Sequence, residues 1–265
     1  MTLQLLLSAM NLKDLSFCKD MNVQSDVILV NQSDVYRFNE EVYGKHKIKI
    51  YTCSERGVGL SRNTALMRAD ADIILFSDDD CIYVDGYPEI VQKAFQDHPE
   101  ADVIFFNMPS LNKSRIESIE KNFHRVRWYN CFRYGAFRLA ARLDSIRKKN
   151  LCFSLLFGGG ARYSAGEDSI FIVDCLRRGL RLYASPCCIG TVRQESSTWF
   201  RGYTEKYYRD RGALFCAISQ RFAYFLCVQF ILRYRRNTRN VGGMWKAWKL
   251  MYQGVNEYTN YGQCL

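Results

Sequence analysis

The chain has 265 residues, of which 48% are hydrophobic and 14% aromatic, enough for one large or two small buried cores. This composition excludes an intrinsically disordered protein. The formal net charge of +10 predicts attraction to anionic surfaces or phosphorylated ligands. Because no nucleic-acid-binding motif is visible, we expect no nucleic-acid partner.

Five short apolar segments in the first half of the chain predict strands. One of them alternates charged and apolar residues, and the other four are largely apolar on both faces, which is typical of a parallel sheet covered by helices. The segments are residues 3–8, 26–31, 47–53, 72–77 and 102–107.

Helices are predicted between these strands. Ser61 suits the N-cap of the first, so that Arg62 begins this helix, and Gly57 and Gly59 are assigned to a flexible approach loop before it. Pro88 suits the first turn of the next helix.

A third helix is predicted over residues 169–178, ending at Gly179, and a strand over residues 180–185. From about residue 203 onward the strand pattern stops, and the chain is mainly helical, aromatic and basic. The pattern predicts an α/β domain over residues 1–200 and a helical extension over residues 201–265.

Three consecutive aspartates, Asp78, Asp79 and Asp80, follow the fourth predicted strand. In open α/β sheets, ligands bind at the carboxyl ends of strands, and clustered carboxylates there suit Mg²⁺ or Mn²⁺ with phosphates as further ligands. The alternative is a solvated acidic turn. The preceding apolar strand and the downstream motifs favour a ligand site.

Arg62 precedes the aspartates by one helix and one strand, which predicts a position near the same sheet edge. An arginine there can bind a diphosphate through two hydrogen bonds. A surface salt bridge accounts for Arg62 equally well when it is taken alone.

Further along, the segment FGGGARYSAGEDS places Glu167 and Asp168 near the start of a helix. The helix dipole alone favours acids at this position. The functional interpretation is a general base held beside a mobile loop, and the spacing does not separate the two interpretations.

The segments LSAMN, LSRNTALMRADADIILFSDDD and GEDSIFIVDCLRRGLRLY together strongly resemble family-2 glycosyltransferases with the GT-A fold, over roughly the first 200 residues. The resemblance is to bacterial members that build surface polysaccharides. It implies a Rossmann-like, mostly parallel central sheet flanked by helices. It also implies a metal-dependent, inverting enzyme of the hexosyltransferase type, with Mg²⁺ or Mn²⁺ as cofactor. Its donor would be a nucleotide-diphosphate sugar and its acceptor a glycan or lipid-linked intermediate.

On the donor side, this resemblance makes Asp80 the main metal ligand and Asp78 a second one. Asp79 contacts the ribose or the sugar, and Arg62 contacts the nucleotide or its diphosphate. The residue that recognises the base follows the second strand. Asn31 is the first candidate, and Gln32 or Asp34 could take that role.

On the acceptor side, the resemblance makes Asp168 the catalytic base and Glu167 an acceptor-binding residue. Inverting transfer is a single displacement in which the attacking hydroxyl must lose a proton, so a carboxylate within hydrogen-bond reach is required.

Two other classes of function share part of this pattern. A nucleotidyltransferase has the strand-end aspartates, but it would normally carry a glycine-rich loop with a basic residue after the first strand, which SAMNLKDLSF lacks. A non-catalytic membrane-surface adaptor would account for the basic, aromatic C-terminal region, but it leaves the acidic motifs without a role.

The C-terminal region has two interpretations. Arg221, Arg233, Arg235 and Arg236 surround an uncharged apolar run, residues 222–232, which is shorter than the ~20 residues that a bilayer span needs. The run is either a packed helix with a solvated basic face or a peripheral attachment to anionic lipid.

The eleven cysteines favour a reducing compartment, because they form no zinc-type pairs and many lie in apolar runs. The segment MTLQLLLSAMN has no basic n-region, and its apolar run is too short for a signal peptide. We therefore expect a cytoplasmic protein, either free or peripheral on the inner face of the membrane.

Overall fold

The computed structural model of the protein describes residues 1–112, 119–193 and 202–263. The chain divides into two compact units. The first comprises Met1–Phe153 and Phe171–Ser196, and the second comprises Ser154–Ile170 and Ser197–Leu265. The glycine-rich segment and the residues Glu167 and Asp168 therefore belong to the second unit.

The first unit is built on a sheet that has nine strands within the described residues. In chain order the strands are β1 (Leu3–Met10), β2 (Asp26–Gln32), β3 (Arg37–Tyr43), β4 (His46–Cys53), β5 (Ile73–Asp78), β7 (Val103–Asn107), β8 (His124–Arg125), β9 (Leu139–Arg142) and β10 (Leu182–Cys188). Their order across the sheet is β3-β4-β2-β1-β5-β9-β7-β10-β8. A separate two-stranded sheet pairs β6 (Cys81–Tyr83) with β11 (Gly190–Val192).

Six of these nine strands run in one direction, because β9 is antiparallel to both β5 and β7 and the other central pairs are parallel. The mostly parallel α/β fold is thus confirmed. The sequence-based prediction missed the antiparallel strands β3, β8 and β9. β3 is an edge strand with mostly exposed, charged side chains, so it lacks the apolar pattern that marks the central strands.

Within the described residues, five α-helices precede residue 178: α1 (Ser16–Asp20), α2 (Val58–Arg68), α3 (Tyr87–Asp97), α4 (Leu143–Lys148) and α5 (Glu167–Arg177). As predicted, Pro88 lies in the first turn of α3, whose buried face includes Val91 and Phe95. α5 begins two residues earlier than predicted, so that its first two residues are the acids Glu167 and Asp168.

The predicted start of α2 was wrong. The helix begins after Gly57, whose φ of 140° is a conformation that side chains rarely adopt. Ser61 and Arg62 are therefore both inside the helix and buried, and Gly59 is helical rather than part of a loop. Ser61 was predicted to cap the helix because serine is common at helix N-caps, and the sequence alone does not distinguish such a serine from one buried inside a helix.

The second unit contains α6 (Glu205–Ile218), α7 (Ala223–Arg233) and α8 (Met244–Gln263), which share a core of their own. α6 and α8 approach closely at two glycines: a Cβ on Gly212 would meet the carbonyl of Met251, and one on Gly254 would meet the carbonyl of Arg209. Of the helices in the described part of the chain, none has both the length and the apolar character that crossing a membrane requires.

Candidate functional site

The carboxyl ends of the parallel strands β1, β2 and β5 bring polar residues to one edge of the sheet. Ser8 in β1 is in register with Asp78 in β5, and the next residue of β1, Ala9, is in register with Asn31 in β2. Ser8 is buried, and its hydroxyl has no hydrogen-bond partner within the described residues. No pattern in the sequence marks Ser8, because a serine inside an apolar strand is unremarkable until its neighbours are known.

Asp78, the last residue of β5, forms an ion pair with Arg62 of α2. Arg62 Nη2 lies 3.0 Å from Asp78 Oδ1 and 3.3 Å from Oδ2. The arginine side chain is only 3% exposed and the aspartate 28% exposed. Arg62 therefore lies beside the aspartates at the sheet edge, as its position in the sequence predicts, and its burial excludes a surface salt bridge.

Arg62 and its neighbour Asn63 also hold Phe153. The Asn63 side chain donates to the Phe153 carbonyl at 2.9 Å and accepts from its N–H at 2.7 Å. The Arg62 guanidinium lies 5.4 Å from the centroid of the Phe153 ring, which also packs on Phe76 and Phe171. This cation–π contact and the aromatic cluster fix the guanidinium beside the strand end.

Asp79 lies in the turn after β5 and is exposed. The surrounding protein still displaces some of the water around its carboxylate, and this desolvation, followed by the charge of Asp78, raises the pKa of Asp79 above its ordinary value. A hydrogen bond from the backbone of Met10 opposes the shift. A cation or a hydrogen-bond donor on a ligand would thus relieve an unfavourable charge here.

Asp80 completes the turn, and its carbonyl oxygen accepts a hydrogen bond from the N–H of Arg193 at 2.9 Å, just after β11. The next residue, Cys81, is buried. Burial raises the pKa of the Cys81 thiol, and the charges of Asp78 and Asp80 raise it further. Both carboxylates are therefore close enough to act on one thiol.

The three candidates for base recognition have different environments. Both ends of the Asn31 amide bond the backbone of Leu12: its Nδ2 donates to the carbonyl at 2.8 Å, and its Oδ1 accepts from the N–H at 3.0 Å. Gln32 is buried and its Oε1 accepts from the N–H of Gly57 at 2.8 Å. Asn31 and Gln32 therefore shape the loops after β1 and before α2.

The third candidate, Asp34, is 92% exposed and pairs with Arg56 at 2.7 Å. Its position on the surface after β2 leaves its carboxylate in solvent.

In the second unit, the two acids at the start of α5 differ in exposure. Glu167 is 2% exposed, and its Oε2 accepts from the N–H of Gly166 at 3.1 Å. Asp168 is partly exposed. The neighbouring carboxylates therefore have distinct environments, as acids with different roles would require.

The loop before these acids is fixed by Asp210 of α6. The carboxylate of Asp210 accepts from the Ser164 N–H at 2.9 Å and from the Ser164 hydroxyl at 2.6 Å. It also pairs with Lys206 at 2.7 Å, and Lys206 reaches the carbonyl of Arg162. These contacts tie the segment before Glu167 to α6.

Gly166 is a second constraint on the same segment. Its φ of +123° strains any other residue, and a Cβ at this position would lie 2.6 Å from Leu214 of α6. The glycine of the GED motif is thus required by close packing on α6.

A separate cleft of about 240 Å³ lies between α2 and the ends of β2 and β4. None of the predicted site residues lines it. Its walls are formed by Val30, Tyr36, Cys53, Glu55, Leu60, Ser61, Thr64 and Arg68. The residues predicted from sequence to bind the donor therefore lie outside this cleft.

Solved structures share the fold of this chain. The structure of S. aureus TarS residues 1–349 matches with a TM-score of 0.64 at 15% identity, covering 96% of this chain and 81% of that one. Its complex with UDP-GlcNAc gives a TM-score of 0.69 at 13% identity, with coverages of 97% and 80%. Its complex with UDP matches with a TM-score of 0.63 at 15% identity, covering 91% of this chain and 75% of that one. Likeness at these identities concerns the fold, and it confirms the GT-A α/β prediction.

No curated protein sequence matches this chain. The family model described as glycosyl transferase family 2 matches residues 22–152, a span that includes Asn31, Arg62 and all three aspartates. The resemblance drawn from the sequence motifs is thereby confirmed, and residues 22–152 belong to glycosyl transferase family 2.

Proposed function

We propose that this protein transfers a sugar from a nucleotide-diphosphate donor to an acceptor hydroxyl, with inversion at the anomeric carbon. The observation that carries the proposal is the strand end of β5 in a family-2 sequence. There, a buried arginine, Arg62, holds Asp78, while Asp79 and Asp80 occupy the turn that follows. The TarS structures with UDP-GlcNAc and UDP support a uridine-linked donor.

A divalent metal ion is compatible with the residues at this edge. Within the described residues, no three His, Cys, Asp or Glu side chains form a metal-binding group. Mg²⁺, however, is commonly held by one or two carboxylates together with substrate phosphates and water, and Asp78 ends β5 while Asp80 lies in the turn that follows. Asp80 would be the main ligand, because Asp78 already pairs with Arg62. The ion would stabilise the negative charge of the diphosphate.

The donor contacts follow from the same environments. Asp79 is exposed and carries an unfavourable charge, which suits a carboxylate that accepts hydrogen bonds from the ribose or sugar hydroxyls. Arg62, held beside Asp78 at the end of β5, would contact the nucleotide or its diphosphate. Asn31 would act by shaping the loop after β1, because both ends of its amide bond Leu12.

On the acceptor side, Asp168 is our candidate for the base. It is partly exposed at the start of α5, so an acceptor hydroxyl can reach it, and its carboxylate would take the proton as the oxygen attacks. Glu167 is buried and bonds Gly166, which suits a residue that holds one acceptor group in a fixed direction.

We assign the acceptor to the glycans or lipid-linked intermediates of surface polysaccharide synthesis, as the sequence resemblance implies. A cytoplasmic location is supported by cysteine chemistry. The ten cysteines in the described ranges are free, which is typical of a reducing compartment.

A panel of nucleotide sugars, each with and without Mg²⁺ or Mn²⁺, tests this function. We expect metal-dependent thermal stabilisation and slow hydrolysis with a uridine-linked sugar, and a product of opposite anomeric configuration once an acceptor is supplied. Turnover of nucleoside triphosphates would instead identify a nucleotidyltransferase. No binding of either class of nucleotide would contradict the proposal and favour a non-catalytic protein.

A further inference from the structure

A long segment of the second unit contains no acidic residue. Between Arg211 and Asn256 there is neither aspartate nor glutamate, while the cations in this segment are Arg211, Arg221, Arg233, Arg235, Arg236, Arg239, Lys246 and Lys249. All of these except Arg211 are exposed. This part of the chain therefore presents concentrated positive charge to solvent.

Within this segment, α7 is apolar on two opposite sides. Its buried side consists of Ala223, Cys227 and Ile231. Its outer side exposes Phe225 (67%), Val228 (44%) and Leu232 (59%), which are spaced three and four residues apart and so lie on one helical stripe. Phe222, just before the helix, is 55% exposed and extends the stripe. A water-facing helix side would ordinarily be polar, so this side is suited to an apolar environment.

The stripe continues onto α8 through an aromatic contact. The ring of Tyr224 lies 5.6 Å from that of Tyr252 and 6.2 Å from that of Trp248. Trp245, one turn before Trp248, is 68% exposed. We call this surface the α7–α8 face, and it comprises Phe222, Tyr224, Phe225, Val228, Leu232, Trp245 and Tyr252.

Cations border the α7–α8 face. Arg221 and Arg233 lie at the two ends of α7, Arg235 and Arg236 follow it, and Lys249 lies over the Trp245 ring with its Nζ 5.5 Å from the centroid. Aromatic and aliphatic side chains bordered by Arg and Lys match the layers of an anionic lipid surface, with acyl chains beneath phosphates. A second copy fits poorly, because two such faces would bring like charges together.

We propose that the α7–α8 face binds an anionic membrane surface, with α7 parallel to the membrane plane. Phe222, Phe225 and Leu232 would enter the boundary between headgroups and acyl chains, and the arginines would contact lipid phosphates. This inference goes beyond the proposed transfer reaction and does not depend on it, since it rests on residues other than those of the donor edge.

The test is co-sedimentation of the full chain, without nucleotide, with vesicles of phosphatidylcholine alone or mixed with phosphatidylglycerol. We expect binding to the mixed vesicles at low salt and at least ~10-fold weaker binding to the neutral ones. The double variant Phe225→Ser, Leu232→Ser should bind the mixed vesicles at least ~10-fold more weakly, because its apolar insertion is lost. Arg235→Gln with Arg236→Gln should also weaken binding at least ~10-fold and reduce its salt dependence.

Two control variants show whether vesicle binding depends on the α7–α8 face in particular. Val42→Ser alters an equally exposed apolar residue in β3 and should bind vesicles like the parent chain. Asp80→Ala should also retain vesicle binding, so that failure of the transferase proposal and failure of this one are distinguishable. Each variant is first checked for an unchanged melting temperature.

Three results would overturn the proposal. The first is no binding of the parent chain to anionic vesicles at low salt. The second is unchanged binding of Phe225→Ser, Leu232→Ser while the arginine variant loses binding, which would indicate charge attraction without insertion. The third is a dimer in solution that Phe225→Ser, Leu232→Ser dissolves, which would assign the face to a second copy.

Discussion

Arg62 Nη2 lies 3.0 Å from Asp78 Oδ1, so a buried guanidinium from α2 neutralises the first of three consecutive aspartates. This pair explains how the chain tolerates adjacent like charges. One carboxylate is paired inside the protein, and the other two are in the turn that follows.

Removing Arg62 should destabilise the protein, because the partly buried Asp78 carboxylate would lose its partner. We expect Arg62→Met to lower the free energy of unfolding by roughly 2–4 kcal/mol, measured by urea denaturation. The control is Arg56→Met, which breaks the exposed pair with Asp34 and should cost less than ~1 kcal/mol. An equal loss of unfolding free energy in the two variants would show that the Arg62–Asp78 pair contributes no more to stability than the exposed Arg56–Asp34 pair.

Asp80→Ala should reduce turnover by at least ~10²-fold, because Asp80 is the proposed main ligand of the ion that would neutralise the diphosphate. It should also abolish the metal-dependent rise in melting temperature caused by a nucleotide diphosphate. Asp144→Ala, which alters an exposed aspartate in α4, is the matched control and should keep both properties. Full activity of Asp80→Ala in excess chelator would refute the metal assignment.

Asp168→Asn should reduce turnover by ~10²–10⁴-fold and leave donor affinity nearly unchanged, because the amide keeps the shape but cannot take the proton. Glu167→Gln should mainly weaken acceptor binding. For each variant, kcat and the KM values for donor and acceptor are measured. If Glu167→Gln lost turnover and Asp168→Asn kept it, the two roles would be exchanged.

Asp79→Asn should stabilise the protein without ligand near neutral pH. The folded state raises the pKa of Asp79 through desolvation and the charge of Asp78, so its ionised form costs stability once the pH exceeds the pKa of the unfolded state. We expect a rise in melting temperature of ~1 °C, because the side chain is exposed. The gain should fade as the pH falls below ~3, because Asp79 is then protonated in the unfolded state as well as in the folded one. A gain that grew at low pH would contradict the sign of this shift.

The parallel strands could be predicted from sequence because most of them are apolar runs of ordinary strand length, and their carboxyl ends meet at one edge by the geometry of parallel sheets. These two features were sufficient to predict that Arg62 lies near the aspartates. The antiparallel strands were missed because their residues, exposed in β3 and few in β8 and β9, carry no distinctive pattern.

Other parts of the site depend on contacts between residues distant in sequence, which no local pattern reports. The amide of Asn31 is occupied by Leu12, and Ser164 is bound to Asp210, 46 residues away. Neither partner could be identified from sequence, so these two hydrogen-bonded arrangements were not predicted.

The contact between Asp210 and Ser164 means that the C-terminal helices support the segment that precedes Glu167 and Asp168. A chain shortened at residue 200, the domain boundary that the sequence suggests, would keep Arg62 and all three aspartates. It would lose Asp210, Lys206 and Leu214, and with them the support of the segment that leads into Glu167 and Asp168. If the proposed roles hold, such a truncated protein would bind a nucleotide sugar but lose the contacts that position the proposed base.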